Sequence, residues 1–429
     1  MSSNSSPLDL LRARIPLWAT TVLVGLTLMI GLSGGLLGGL LINRPAPAPV
    51  ACPESEAVCK EFTVFWEAWD LARDHYVEPA ASKPEAMTAG AINGMLDTLG
   101  DNGHTRFLTV KELQAWEEQL RGSFEGIGAY IDVRDGQTVI VAPIEGSPAA
   151  QAGLLPGDVV LAVDGATTEG WTVSELQRRV KGPKGTTVTL TVRHLNAEQS
   201  VDVPITRAQV VVPSVTWRML PDNMALIRLA SFDSDTGTEL QAALRELRTQ
   251  GARTIILDLR NNPGGLLDQA VMVASQFLPE GTTVLLEADR TGTRKPTVTN
   301  SGGLALDLPL VVLINKGSAS SSEIVSGAFQ AAGRARLVGE TTFGTGTVLT
   351  PYRLSDGSQL LLGTQQWLTP DGHQIRGQGI VPDERVVLPL NVAPLSPAEA
   401  AMLDLAKLRA GPDVQLARAI ELASSAASR

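Results

Sequence analysis

Apolar positions along the chain follow a rhythm that changes several times. From Ile15 to Ile42 they form an uncharged run, IPLWATTVLVGLTLMIGLSGGLLGGLLI. That is long enough to cross a hydrocarbon core of about 30 Å. From about residue 58 to 120, apolar residues recur at helical spacing in VCKEFTVFWEAWDLARDHYV and AMTAGAINGMLDTL, and GDNGHTRFL reads as a loop between helices. From Phe124 the period shortens, and FEGIGAYIDV, TVIVAPI, VVLAVDG and TTVTLTVRHL predict short strands, with a helix in TVSELQRRV. From about residue 210 strands (MALIRLASF, TIILDLR, TVLLEA, LPLVVLIN) alternate with helices (GTELQAALRELRTQG, LLDQAVMVASQFL, SSEIVSGAFQAAG), the pattern of an α/β domain. The tail from Ser396 reads as one or two amphipathic helices.

Length then sets the number of cores. A chain of 429 residues exceeds one core and implies two or three domains. With 44% hydrophobic and 19% charged residues it is globular. A formal net charge of −10, with no basic run beyond the N-terminus, argues against a nucleic-acid partner.

Arg12 and Arg14 precede the apolar run. The positive-inside rule therefore places residues 1–14 in the cytoplasm and the soluble domains outside, in the cell envelope. The run is long for a cleaved signal peptide, so residues 15–42 are expected to be an uncleaved single-pass anchor. Residues 43–57 begin with a stiff Pro-rich spacer, NRPAPAP. Cys52 and Cys59 are the two cysteines, and an extracytoplasmic place permits a disulfide between them. No histidine stands at a ligand-like spacing from them, so no metal is expected.

Three constellations carry candidate chemistry. In FEGIGA, Phe124, Glu125, Gly126, Ile127 and Gly128 offer successive backbone N–H groups that can hold a carboxylate. In RNNPGGLLDQAV, Gly264 and Gly265 open a helix at a strand end, where N–H groups can stabilise an oxyanion. In NKGSASSSEIVSGAF, several serines stand before a helix. Ser320 and Glu323 fit a capping box there, so that local reading leaves both a nucleophile and a plain helix start open.

The order of motifs settles more than any one of them. GSPAAQAGLLPGDVVLAVDG resembles a PDZ domain in the permuted form of bacterial proteases. With RNNPGGLLDQAV, NKGSASSSEI, LVGETTFGTGTV and PDGHQIRGQGIVPD, the soluble part from about 62 to 425 resembles the carboxyl-terminal processing peptidases, or tail-specific serine proteases. GDNGHTRFL looks like that family's D-P-(H/Y)-(S/T)-R-(F/Y)-L segment, with Asn-Gly in place of Pro. The resemblance implies a multi-domain α+β chain. It would have a helical N-terminal region at 58–120, a β-rich PDZ domain at 121–207, a crotonase/ClpP-like α/β catalytic core at 208–394 and a helical tail at 395–429.

By the same resemblance the nucleophile is Ser320, and the oxyanion hole uses backbone N–H groups at Gly264 or Gly265 and at Ser321. The family's general base is a lysine in F-G-K-G-T-V-Q, supported by the glutamine. This chain has Thr345 and Leu349 at those two positions. Threonine cannot serve as a base near neutral pH. His373 and Lys316 are candidate substitutes, and His104 reads as structural. The expected activity is endoproteolysis of protein substrates whose tails the PDZ groove binds, without cofactor. The alternative is a pseudopeptidase that binds tails without cutting them. Self-association is left open.

Overall fold

The computed structural model describes residues 55–101, 104–134, 136–144, 146–195 and 197–427. The expected anchor at 15–42 and the spacer's NRPAPAP lie outside the described residues, and so does Cys52 of the expected disulfide. Among the described residues no helix is long and apolar enough to cross a membrane. The chain divides into two units, Met1–Ala86 and Met87–Arg429. In the first, the helix Glu56–His75 carries a cluster of Phe62, Phe65, Trp66 and Trp69 in edge and tilted contacts.

The second unit is built on a sheet in the order Val215–Leu220, Met224–Leu229, Thr254–Asp258, Leu310–Ile314, Ala335–Gly339 and Glu384–Arg385. Its first pair is antiparallel and the rest are parallel. TIILD and LVVLI are buried at every position, because a central parallel strand is covered on both faces. Alternate residues still face opposite layers. Ile255, Leu257, Val312 and Ile314 meet the helices Thr236–Thr249, Leu267–Phe277 and Ser321–Ala331. Ile256, Val311, Leu313 and Val338 meet Leu408, Leu416, Ala419, Ile420 and Ala423 of the C-terminal segment. That segment is three helices, Pro397–Ala401, Leu405–Ala410 and Val414–Ala427, where one or two were expected. It is the second covering layer of the sheet rather than an appendage.

A second, antiparallel sheet closes over one end. It runs Arg106–Leu108, Gln359–Leu368, Thr283–Ala288 and Arg294–Val298, and Thr347–Arg353 also pairs with Gln359–Leu368. Two expectations change here. TVLLEA joins this sheet and not the parallel one. RFL, expected in a loop, is a strand, because pairing with Gln359–Leu361 satisfies its backbone while Phe107 and Leu108 are buried.

The β-rich module has the sheet order Ala129–Arg134, Gln137–Pro143, Val159–Val163, Thr187–Arg193 and Val201–Thr206. Its core includes Ile140, Val160, Leu176, Val188 and Leu190. Ala129–Arg134 is an edge strand, and the helix Val173–Val180 packs beside it. The module joins the rest through a ladder between Ser123–Gly126 and Ala208–Val211.

The fully buried Arg260 fastens the C-terminal layer to the strand that leads into the Asn-Asn-Pro-Gly-Gly turn. Its guanidinium forks onto Asp258 (2.9 and 2.8 Å), and Nη1 donates to Asp413 (2.7 Å) and Gln415 (3.2 Å). Asp413→Ala removes one buried partner from a buried cation, a change that costs about 3–5 kcal/mol. We expect its urea midpoint, followed by tryptophan fluorescence, to fall accordingly.

Candidate active site

In the serine-rich turn three hydroxyls donate to backbone carbonyls and one does not. Ser318 Oγ donates to the Leu259 carbonyl (2.8 Å), Ser321 Oγ to that of Gly265 (3.0 Å) and Ser322 Oγ to that of Asn262 (3.0 Å). These three serines stitch the turn to the Asn-Asn-Pro-Gly-Gly segment. Ser320 Oγ donates to nothing among the described residues. The Ser320 carbonyl accepts the Glu323 N–H at 2.8 Å, so the helix start does not need the hydroxyl. Ser320 also has φ +54° and ψ −118°, a conformation that costs a residue with a side chain of order 1–3 kcal/mol. The strain sets the side chain at the N-terminus of Ser321–Ala331, at the positive end of the helix dipole.

Glu323 holds this arrangement. Its fully buried carboxylate accepts from Ser320 N (2.9 Å), Thr342 Oγ1 (2.6 Å), Gly344 N (2.6 Å) and Thr345 N (2.9 Å). The Ser320 and Thr345 nitrogens bond the same oxygen, Oε2, which brings Thr345 beside the nucleophile position. Thr345 is buried and presents only a hydroxyl. Leu349 packs against Leu108, Leu113 and Leu361, so its surroundings are apolar.

Gly264 lies against the turn. A Cβ there would stand 2.6 Å from Ser320 Cβ and 2.9 Å from Ser321 N, and its φ is +96°. Only glycine allows that approach. Of the expected oxyanion donors, Gly264 N–H is engaged by Asn262 Oδ1 at 2.8 Å. The N–H groups of Gly265 and Ser321 have no partner among the described residues. Of the expected donors, Gly265 and Ser321 are therefore the two whose N–H groups are not engaged by Asn262. Gly265 and Ser320 line a cavity of about 370 Å³ between the C-terminal ends of the parallel strands and the second sheet, where open α/β sheets bind ligands. Ser320, Gly265, Thr347, Leu349, Arg106 and Trp367 all line it. Arg106 Nε and Trp367 Nε1 are buried donors without a partner, poised for a polar ligand.

His104, read from sequence as structural, also lines this cavity. Its Nδ1 lies 2.7 Å from Thr347 Oγ1, and Thr347 Oγ1 is 3.3 Å from both oxygens of Asp101. Asp101 accepts in addition from Thr105 N (3.1 Å) and Thr105 Oγ1 (2.5 Å), and it lies 3.5 Å from Arg376 Nε. Burial pushes the His104 pKa down to about 4, against the pull of Asp101 and with a further push from Arg106. The signal in the sequence was the short Asp101-to-His104 spacing, which forms one turn closed by His104 N–H to Asp101 C=O at 2.9 Å.

The two substitute bases expected from sequence lie elsewhere. His373 is 78% exposed and pairs with Asp371. Lys316 is 84% exposed and pairs with Glu340 at 3.5 Å. Neither lines the cavity. Of the five residues expected to cradle a carboxylate, Phe124 and Glu125 belong to the neck ladder. The Phe124 ring lies under Lys181, and Glu125 accepts from Lys184 N. Gly126 ends that ladder, and Ile127 and Gly128 form the turn into the edge strand. Among the described residues no group of His, Cys, Asp and Glu could hold a metal ion.

The Peptidase family S41 model matches residues 223–386, and a PDZ domain model matches 139–194. A relative from Staphylococcus haemolyticus, named "Probable CtpA-like serine protease", is 38% identical over 321 residues. The chain is also 30% identical to the photosystem II D1 C-terminal processing protease, covering 80% of this chain and 96% of that one, with a TM-score of 0.47. The chain belongs to peptidase family S41. The staphylococcal match covers 74% of this S41 chain and 63% of the relative's own length. An S41 protease of Bacteroides fragilis, 20% identical, covers 80% of this chain and 92% of its own at a TM-score of 0.50, a likeness of fold alone.

In this S41 member Glu323→Gln would turn an amide toward N–H donors and leave at least one buried donor unpartnered. We expect a loss of about 2 kcal/mol or more in urea denaturation. An unchanged midpoint would mean that the turn is held by other contacts.

Proposed function

We propose that this chain is a membrane-anchored, extracytoplasmic serine endopeptidase that cuts proteins whose C-terminal tails its PDZ domain binds. The Ser320 hydroxyl, which donates to no group among the described residues, carries the reading. Its three neighbours are spent on backbone carbonyls, and it alone sits on a strained turn beside two unpartnered N–H groups. The uncharged run at 15–42 supports the anchor. The edge strand Ala129–Arg134 beside the helix Val173–Val180 supports peptide capture by strand addition, with the tail's carboxylate at the Gly126–Gly128 turn.

In this mechanism Ser320 Oγ attacks the scissile carbonyl and the N–H groups of Gly265 and Ser321 receive the oxyanion. Arg106 and Trp367 donate to backbone carbonyls of the bound segment. The acyl-enzyme is then hydrolysed.

A second reading is favoured by Thr345 and by the apolar packing of Leu349, which leave no lysine and no polar partner at the expected base position. On that reading the chain is a pseudopeptidase that holds tails. The two separate by experiment on the full-length chain in detergent, offered an unfolded reporter with an apolar tail. We expect cleavage by wild type and none by Ser320→Ala, with equal reporter binding by both. Binding without cleavage by wild type would establish the pseudopeptidase.

A further inference from the structure

We propose that His104 takes the place of the missing lysine and is the general base for Ser320. The inference rests on the serine-peptidase reading above and adds the proton acceptor that reading lacks.

The hydrogen-bond chain offers one tautomer a complete set of partners. A carboxylate only accepts, so the Thr347 hydroxyl can donate to Asp101, whose two oxygens both lie 3.3 Å away. The Thr347 oxygen then accepts from His104, which puts the imidazole proton on Nδ1. Nε2 is left with its lone pair, and the ring is on the wall that Ser320 shares. The order imidazole, hydroxyl, carboxylate does for His104 what a directly bonded carboxylate does in a serine–histidine–aspartate triad: it fixes the tautomer and the ring plane. Asp101 is itself held by Thr105 and Arg376, and Thr105 Oγ1 also accepts from Gly363 N at 2.9 Å, so the relay is anchored in the second sheet.

The steps balance. As Ser320 Oγ bonds the carbonyl carbon, its proton passes to Nε2 and the carbonyl π pair moves onto oxygen. Collapse breaks the C–N bond, and Nε2–H protonates the leaving amine. Water then gives a proton to Nε2 as its oxygen attacks the acyl carbon. Collapse of that intermediate breaks the ester, and Ser320 Oγ recovers the proton.

The charged groups facing His104 are Asp101 and Arg106, with Arg376 behind Asp101. A histidine held near pKa 4 is already unprotonated at pH 5 and stays so through pH 8. Base function is then present above about pH 5 and fades as pH falls through about 4. A lysine base such as Lys316 would instead gain activity across the neutral and alkaline range.

The test is the rate at which a fluorophosphonate probe labels the full-length chain, read by intact mass between pH 4 and 9. Wild type should label, Ser320→Ala should not, and the wild-type rate should be level from pH 5 to 8. His104→Gln should label at least about a hundredfold more slowly while binding an apolar-tailed peptide as wild type does. Thr347→Val, which keeps the ring but frees its tautomer, should fall in between. Labelling of His104→Gln at the wild-type rate would overturn the proposal and leave the peptidase reading intact. A wild-type rate that rises tenfold per pH unit from 6 to 8 would overturn it without relying on any variant's folding. No labelling of wild type at any pH would overturn both.

Discussion

A single buried carboxylate organises this candidate site. Among the described residues no cation pairs with Glu323, and its desolvation is offset by four hydrogen bonds from the serine turn and from the loop of Thr342 to Thr345. Each donor alone is an ordinary contact. Together they force two separate segments to share one pair of oxygens. The strained backbone of Ser320, the nearness of Thr345 and the opening of the cavity follow from that sharing. Strain of this kind persists only where the surroundings over-determine it, and here the three neighbouring serines supply the remaining constraints.

A charged pin does related work at the opposite end of the strand Thr254–Asp258's following turn. Arg260 joins Asp258 to Asp413 across the sheet, so the turn bearing Gly264 and Gly265 is braced by the C-terminal helices. The covering layers are therefore unlike. One is contributed by helices between the strands, the other by the end of the chain, and the site lies where the first of these begins.

Much of this was legible in the order of residues. Continuous apolar runs in TIILD and LVVLI mark doubly covered strands, and Gly-Gly after such a strand marks the turn that comes up against Ser320. What escaped was information that resides in pairing. RFL is too short to show a period, and only its partner near Leu361 makes it a strand. Ser320 and Glu323 read as a capping box, but the glutamate's second oxygen serves a loop some twenty residues on, which local spacing does not encode. That His104 lines the cavity did not show, because its hydroxyl partner, Thr347, lies far along the chain. The exposed His373 and Lys316 looked eligible because spacing is silent on burial.

The pairing of Arg106–Leu108 with Gln359–Leu361 has a consequence for biosynthesis. The strand that walls the cavity leaves the ribosome with its partner still unmade, and the whole β-rich module is translated in between. That module can close on its own neck ladder while the cavity is still missing a side. Until the late strand arrives, the emerging chain has no closed cavity.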